Sequence, residues 1–561
     1  MPRSLLLLLT AACTAAPSPT PAPPDDPPVD EVPTLLREPV VTAQRLTRRQ
    51  LERLITEVLP GVPLYIAAQY RDLPPEPERH GFDNHHEADG VSAAWVDRAE
   101  QIAVEAAARW VGESEELRGC RGRDAACVVQ AVAGVAARAW RRPVREEELG
   151  WIEEVVGFGG GDVRAGLELG VAAVLQDPAF FYQISVSEPA PVEASRLPLT
   201  GESLAAKLAL TLLGAPPTSA LIAAADGLGA PERLREVAAE TLQDARFGET
   251  VAAMHHQWLD LDLLQSLYLD HERYFPGLRG DAGPGYAEAT GRLARDLRLQ
   301  AEQFVTSAVI DGGWSQLTGG RTLWISPTLA SEVHAGELVA LGLDPMALPG
   351  APFTLTAYTP SEGYQQVDGV LVELPADRRS GVFTLPGLHA GRGDGLRSSV
   401  VDRGLWVLRR ALCEEVGAPP AGVETVLTGS GSAREALERH AADPSCAACH
   451  DRIDPLGLPW ESYDLAGAWR EQEGGVPIEP AADLGAFGWQ VDGALGLAGA
   501  LSADARVRAC YVRQWARYLH GGQVDEALVQ DVAAAFAVSG EVQTMVLDLV
   551  ASEAFSTVEA P

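Results

Sequence analysis

The stretch Ala442-Asp443-Pro444-Ser445-Cys446-Ala447-Ala448-Cys449-His450-Asp451-Arg452-Ile453-Asp454-Pro455-Leu456-Gly457 spaces two cysteines and a histidine at i, i+3 and i+4. Asp443 fits an N-cap and Pro444 the first helical position, so a helix is predicted to begin there. Asp454-Pro455 is predicted to end it. On such a helix Cys446, Cys449 and His450 share one face of one turn. Covalent attachment of a c-type haem requires this: two thiols add across the porphyrin vinyls, and the adjoining imidazole reaches the iron from the same side. A zinc site would need a second ligand pair, and none has suitable spacing. A thioredoxin-like pair would need a βαβ context, which is absent. The expectation is one covalent haem c with His450 as the proximal iron ligand. The sixth ligand stays open, with His389, His440, His520 and Met545 as candidates beside an unfilled position. Upstream, Ser432 with Glu435 fits a capping box opening a helix to about Ala441.

Five further cysteines stand at 13, 120, 127, 413 and 510. Cys120 and Cys127 flank Arg121-Gly122-Arg123-Asp124, so a local disulfide is expected, leaving Cys413 and Cys510 as the second pair. The alternative is four free buried thiols.

Cys13 belongs to the N-terminus. Arg3 is followed by the apolar run Leu5 to Leu9 and then Thr10-Ala11-Ala12-Cys13. Small residues before a lone cysteine resemble a bacterial lipoprotein signal, in which that cysteine is lipidated after cleavage. The pattern departs at Thr10, where leucine is usual; an ordinary secretory signal is the alternative. Either one exports the chain, to the periplasm or as an outer-membrane or cell-surface lipoprotein of a Gram-negative-type bacterium. The Pro-rich segment from Ala15 to Pro33 reads as a tether behind such an anchor. No other run approaches the length of a membrane-spanning helix.

Composition bounds the partners. The 561 residues carry a formal net charge of -34, with 46% hydrophobic and 22% charged residues. The chain has ample material for packed cores, and so strong an acidic excess repels nucleic acid and anionic headgroups. A charged partner steered to it is expected to be basic; the acidity also serves solubility alone.

The remainder reads as mainly α and multi-domain. Helical spacing runs from Thr47 to near Pro60, from Val91 to Val111 with Trp95, Ala99, Ile102 and Ala106 on one face, and over Val128 to Trp140 and Val163 to Leu175. It continues over Ser203 to Leu213, Pro231 to Asp244, Gly248 to Leu261 and Ala287 to Ile310. His85-His86 are expected in a solvated loop, and His255-His256 as partly exposed helix residues rather than ligands. Alternation over Phe353 to Tyr358 and Gly369 to Leu374 predicts a small β element around 350–385 and no other of note. The predicted divisions are a signal at 1–13, a tether at 14–40, helical units at 45–112, 120–185 and 198–325, a cytochrome c-like unit at 380–478 and a C-terminal helical unit at 485–556.

Residues 442–457, with Glu461-Ser462-Tyr463-Asp464, Gly467, Gly381-Val382-Phe383-Thr384-Leu385-Pro386 and Arg403-Gly404-Leu405, resemble the planctomycete-type cytochrome c domain. The rest resembles the surface domains that accompany it in planctomycetes and myxobacteria. The carrying motifs are Arg45-Leu46-Thr47 with Gly81-Phe82-Asp83-Asn84, Trp140-Arg141-Arg142-Pro143 to Asp177-Pro178-Ala179-Phe180-Phe181-Tyr182, Asp244-Ala245-Arg246 with Gln257-Trp258-Leu259, and Arg513-Gln514-Trp515-Ala516-Arg517-Tyr518. The resemblance covers about residues 45–556. It implies an exported, mostly helical haem protein and carries over Cys446, Cys449 and His450 alone as functional residues. It implies no substrate. One departure is Ser398-Ser399-Val400-Val401-Asp402, where the family commonly has Thr-Ser-Pro before its Arg-Gly.

Three functions compete. An electron carrier would cycle the iron and suit the acidic surface. A peroxidase- or oxidase-type enzyme would use an open sixth position, with electrons from a partner. A surface scaffold with structural haem would account for the large haem-free portion at 45–380. Fold resemblance alone does not choose among them.

Overall fold

The computed structural model describes residues 36–75, 78–84, 91–113, 120, 125–275, 284–359, 363–417, 434–435, 437, 444–522 and 524–561. The chain is mainly α, as its periodicity predicts. The predicted helices form at Arg48–Val58, Ala93–Glu113, Ala125–Ala139, Val163–Gln176, Gly201–Leu213, Pro231–Thr241, Phe247–Trp258 and Pro284–Asp311. Their starts follow local chemistry. Thr47 and Gln50 close a reciprocal capping box ahead of Arg48, which satisfies two otherwise orphan backbone donors. Trp95, Ala99, Ile102 and Ala106 are all buried, so the single apolar face faces the core.

The buried apolar side chains gather into two main clusters. One runs from Leu46 to Phe181 and takes in Leu210 from a later helix. The other runs from Leu199 to Phe555 and includes Phe82 from the N-terminal segment. Residues of the 444–462 segment, such as Ile453, Leu456 and Trp460, therefore share a core with the helices Ala505–His520, Glu526–Ser539 and Val542–Val550. Between the clusters the joint is largely polar: Arg49 Nη2 meets Asp262 Oδ1 at 3.1 Å, Arg246 Nη1 meets Glu57 Oε2 at 3.2 Å, and Arg53 Nη2 donates to the Leu213 carbonyl at 2.6 Å.

The expected β element is a three-stranded antiparallel sheet with Gly363–Glu373 between Phe353–Thr359 and Thr322–Ile325. It is not the only one. Val41–Arg45 pairs with Tyr182–Val186, and Arg196–Pro198 pairs with Thr557–Glu559 at the C-terminus. Shorter pairs join 36–37 to 190–191, 472–473 to 476–477 and 482–484 to 489–491. Strands this short carry little alternation, and their partners lie up to hundreds of residues away, so a local pattern cannot reveal them.

Both expected disulfides are present, Cys120–Cys127 and Cys413–Cys510. No helix among the described residues is long and apolar enough to cross a membrane. Cys13, His85, His86, Ser432, His440 and Asp443 lie outside the described residues.

Candidate functional site

The motif helix spans Pro444–Gly457. It runs through Asp454-Pro455 rather than ending there and passes into a 3-10 turn over Leu458–Ser462. Pro455 lacks the amide that would bond the Asp451 carbonyl, and the helix gives way to the 3-10 turn directly after it; buried Ile453 and Leu456 on either side hold the turn in the core.

Helical spacing puts positions 446, 449, 450, 453 and 457 in one stripe. The N-terminal half of this stripe carries the two cysteine positions and the histidine. The C-terminal half is covered by a second helix, Val400–Trp406. The two backbones touch: a Cβ on Gly404 would collide with the Ile453 carbonyl, and one on Gly457 with the Val400 carbonyl. Ser399 caps this crossing helix by accepting from the Asp402 amide at 3.1 Å. Ser398 Oγ donates to Glu461 Oε2 at 2.8 Å. The segment that departs from the family pattern thus packs and caps this junction.

Arg403 ties the crossing helix to the turn that follows the motif. Its buried guanidinium donates to the carbonyls of Trp460 at 2.8 Å, Tyr463 at 2.8 Å and Asp464 at 2.9 Å, and pairs with Glu461 Oε1 at 3.1 Å. Burial is the main influence on it and lowers its pKa, partly offset by the Glu461 charge. Arg470 holds the other oxygen of Glu461 at 2.9 Å, so this carboxylate is fully engaged below the site.

At the site itself Cys449 is exposed and is the free cysteine among the described residues. The His450 side chain is largely buried, and its Nδ1 lies 2.9 Å from Asp454 Oδ1. A carboxylate oxygen at Nδ1 accepts the imidazole N–H there, which makes Nε2 the ring nitrogen that would face a metal. Metal-ligating histidines are held in this way, so the residues present fit a haem-iron ligand. Sequence reasoning missed Asp454 as the partner of His450 and treated it as a helix stop. The i, i+4 spacing of imidazole and carboxylate was the available signal.

Three of the sixth-ligand candidates, His389, His520 and Met545, are among the described residues. His389 is buried, donates from Nε2 to the Phe383 carbonyl at 2.8 Å, and stacks on Tyr463 at 4.8 Å beside Trp460 at 4.9 Å. Burial first, then the Arg403 charge, drives its pKa well below the usual value, so it is a neutral core residue. His520 Nε2 faces the Leu549 carbonyl at 3.3 Å, and its ring packs by Phe555. Burial lowers its pKa to about 3. Met545 is 1% exposed in the C-terminal helical core. Among the described residues the motif helix packs on the crossing helix, the turn Val407–Ala411 that continues it, Leu458–Ser462 and Ala482–Leu484, and His389 packs against this assembly at Trp460.

His255 and His256 are buried, which corrects the expected partial exposure. Each is tied by both ring nitrogens: His255 to the Val251 carbonyl and Tyr511 Oη, His256 to Glu302 and Asp262. No metal-binding cluster of three or more His, Cys, Asp or Glu occurs among the described residues.

Comparison with known families covers four successive segments. Residues 44–112 match PSD3, 127–184 match PSD5, 199–331 match PSD4 and 379–473 match PSCyt3. Each is described as a protein of unknown function: DUF1587, DUF1595, DUF1592 and DUF1588 in that order. No curated protein and no solved structure matches the chain. The four segments follow one another from residue 44 to residue 473, and the motif helix lies inside the PSCyt3 segment.

Proposed function

We propose that the chain is an exported c-type haem protein that transfers electrons at the cell envelope. The observation that carries this reading is the carboxylate-held His450 beside the free Cys449 on one helical turn. Cys446 and Cys449 would form the thioethers, and His450 would ligate the iron through Nε2. Haem supplies reversible one-electron chemistry when bound. The chain's own residues supply the rest: Asp454 orients the ligand, and Gly404, Gly457 and Arg403 lock the motif helix against its neighbour. The two disulfides are consistent with export to an oxidising compartment. Cys13 would carry the lipid anchor. The net charge of -34 favours a basic redox protein as partner and disfavours nucleic acid.

A second reading, a peroxidase- or oxidase-type enzyme, has one observation in its favour. A carboxylate behind the proximal imidazole makes it a stronger electron donor, which suits oxidant activation as well as electron transfer.

The test is an absorption spectrum of the chain made with a haem-maturation system, reduced and then exposed to carbon monoxide. A c-type α-band unmoved by carbon monoxide supports the carrier; a large carbon monoxide shift supports the enzyme. Lack of the band refutes both. Replacing Cys446 and Cys449 with Ala is expected to abolish covalent haem staining, and retained staining contradicts the assignment.

A further inference from the structure

We infer that Asp454 is a positioning residue that holds His450 as an electron-rich ligand and so keeps the bound haem iron at a low reduction potential. The inference rests on the haem reading above and states what the electron-donating carboxylate does to the potential of the iron.

The arrangement is rigid. Asp454 stands one turn beyond His450, and its Oδ1 lies 2.9 Å from Nδ1. The Asp454 side chain is 9% exposed and that of His450 16%, so solvent screens their interaction weakly. The carboxylate has little freedom to leave. Its neighbours Ile453 and Leu456 are buried, and Gly457 is pressed against Val400 by the helix crossing. Pro455 fixes the backbone dihedral directly after it.

The acceptor's charge is the distinguishing point. A neutral backbone carbonyl at Nδ1 would orient the imidazole equally well. A carboxylate also pulls the Nδ1 proton toward itself and raises the basicity of Nε2. A more basic ligand favours the ferric over the ferrous ion, which lowers the potential. Hydrogen bonds to charged groups are stronger than neutral ones by a factor of about five in an equilibrium constant. Loss of the charge is therefore expected to shift the ferric-to-ferrous ratio at fixed ambient potential by about fivefold, which at 59 mV per tenfold is about 40 mV for a one-electron couple.

The experiment is a potentiometric titration of matured full-length protein as wild type, Asp454→Asn and Asp454→Glu, each normalised to covalent haem content. The expected result is unchanged covalent staining, a potential raised by about fivefold in the ratio for Asp454→Asn, and restoration toward wild type by Asp454→Glu. If Asp454→Asn fails to mature, Asp454→Ser serves as the neutral variant. Equal potentials in wild type and the neutral variant, with covalent haem present in both, overturn the inference and leave the haem reading standing. Wild type without covalent haem overturns the haem reading itself.

Discussion

His256 sits between two carboxylates, Glu302 Oε1 at 2.8 Å from Nδ1 and Asp262 Oδ1 at 3.0 Å from Nε2, with Arg298 on Glu302 and Arg49 on Asp262. Burial alone would raise the Glu302 pKa, but Arg298 and His256 outweigh it and hold it down to about 2. A carboxyl whose folded pKa is depressed contributes stability above its unfolded value, near about 4.3, and loses it as pH falls through the folded value. The melting temperature is therefore expected to fall as pH drops from about 4.3 toward 2, and Glu302→Gln should flatten that segment while lowering stability at neutral pH. Thermal melts of both chains across this range check it; an unchanged slope in the variant removes Glu302 as the cause. At this scale the sequence was partly legible. The CxxCH pattern is local, so its helix was readable. The burial of His255 and His256 was not, because their partners Tyr511, Glu302 and Asp262 come from other elements. Asp454 was readable by spacing and went unread because the proline after it suggested a helix end.

Two elements define the candidate site, and their crossing is built from glycines. In an exposed helix Gly→Ala stabilises by up to about 1 kcal/mol. At Gly404 the new Cβ would meet the Ile453 carbonyl, and backbone has little room to move in a close-packed junction. Gly404→Ala is expected to destabilise by about 1–3 kcal/mol, the reverse of the intrinsic propensity, and to reduce covalent haem content. Urea unfolding midpoints and haem staining measure the two effects. A neutral or stabilising result would show that the helices do not cross this closely. Of the two helices only the motif helix was legible, from Asp443-Pro444 and the cysteine-histidine spacing; Val400–Trp406 was not predicted. The crossing was not, since nothing in Arg403-Gly404-Leu405 indicates which carbonyl the glycine faces. Arg403 also escaped notice: a buried guanidinium satisfied by carbonyls of a distant turn leaves no periodic trace.

Over the whole molecule, two apolar clusters meet across a joint of arginines and carboxylates, and long-range ties close the chain. The Cys413–Cys510 bridge spans 97 residues and Cys120–Cys127 spans 7. Constraint of the unfolded chain grows with loop length, to about 4.7 kcal/mol for a loop near 100 residues in the chain-entropy model. Cys413→Ala with Cys510→Ala is expected to cost about 2 kcal/mol more than Cys120→Ala with Cys127→Ala. Denaturant titrations of the two double variants decide this; equal losses would mean that native contacts, not loop closure, set the value. The mainly α class and the cysteine pairing were legible from periodicity and from proximity along the chain. The sharing of one core by residues 199–555 was not, because which apolar faces meet is a tertiary choice.

The same bridge has a consequence for biogenesis. Cys510 is synthesised after Cys446 and Cys449, which lie between the two ends of the loop. While the chain emerges, Cys413 has these two thiols as its nearest downstream neighbours and lacks its native partner. Four cysteines allow three pairings, and only one leaves positions 446 and 449 apart from 413 and 510. Early modification of the inner pair would remove the wrong pairings before the right one can form, so the order in which the thiols are consumed matters to the yield of the native bridge.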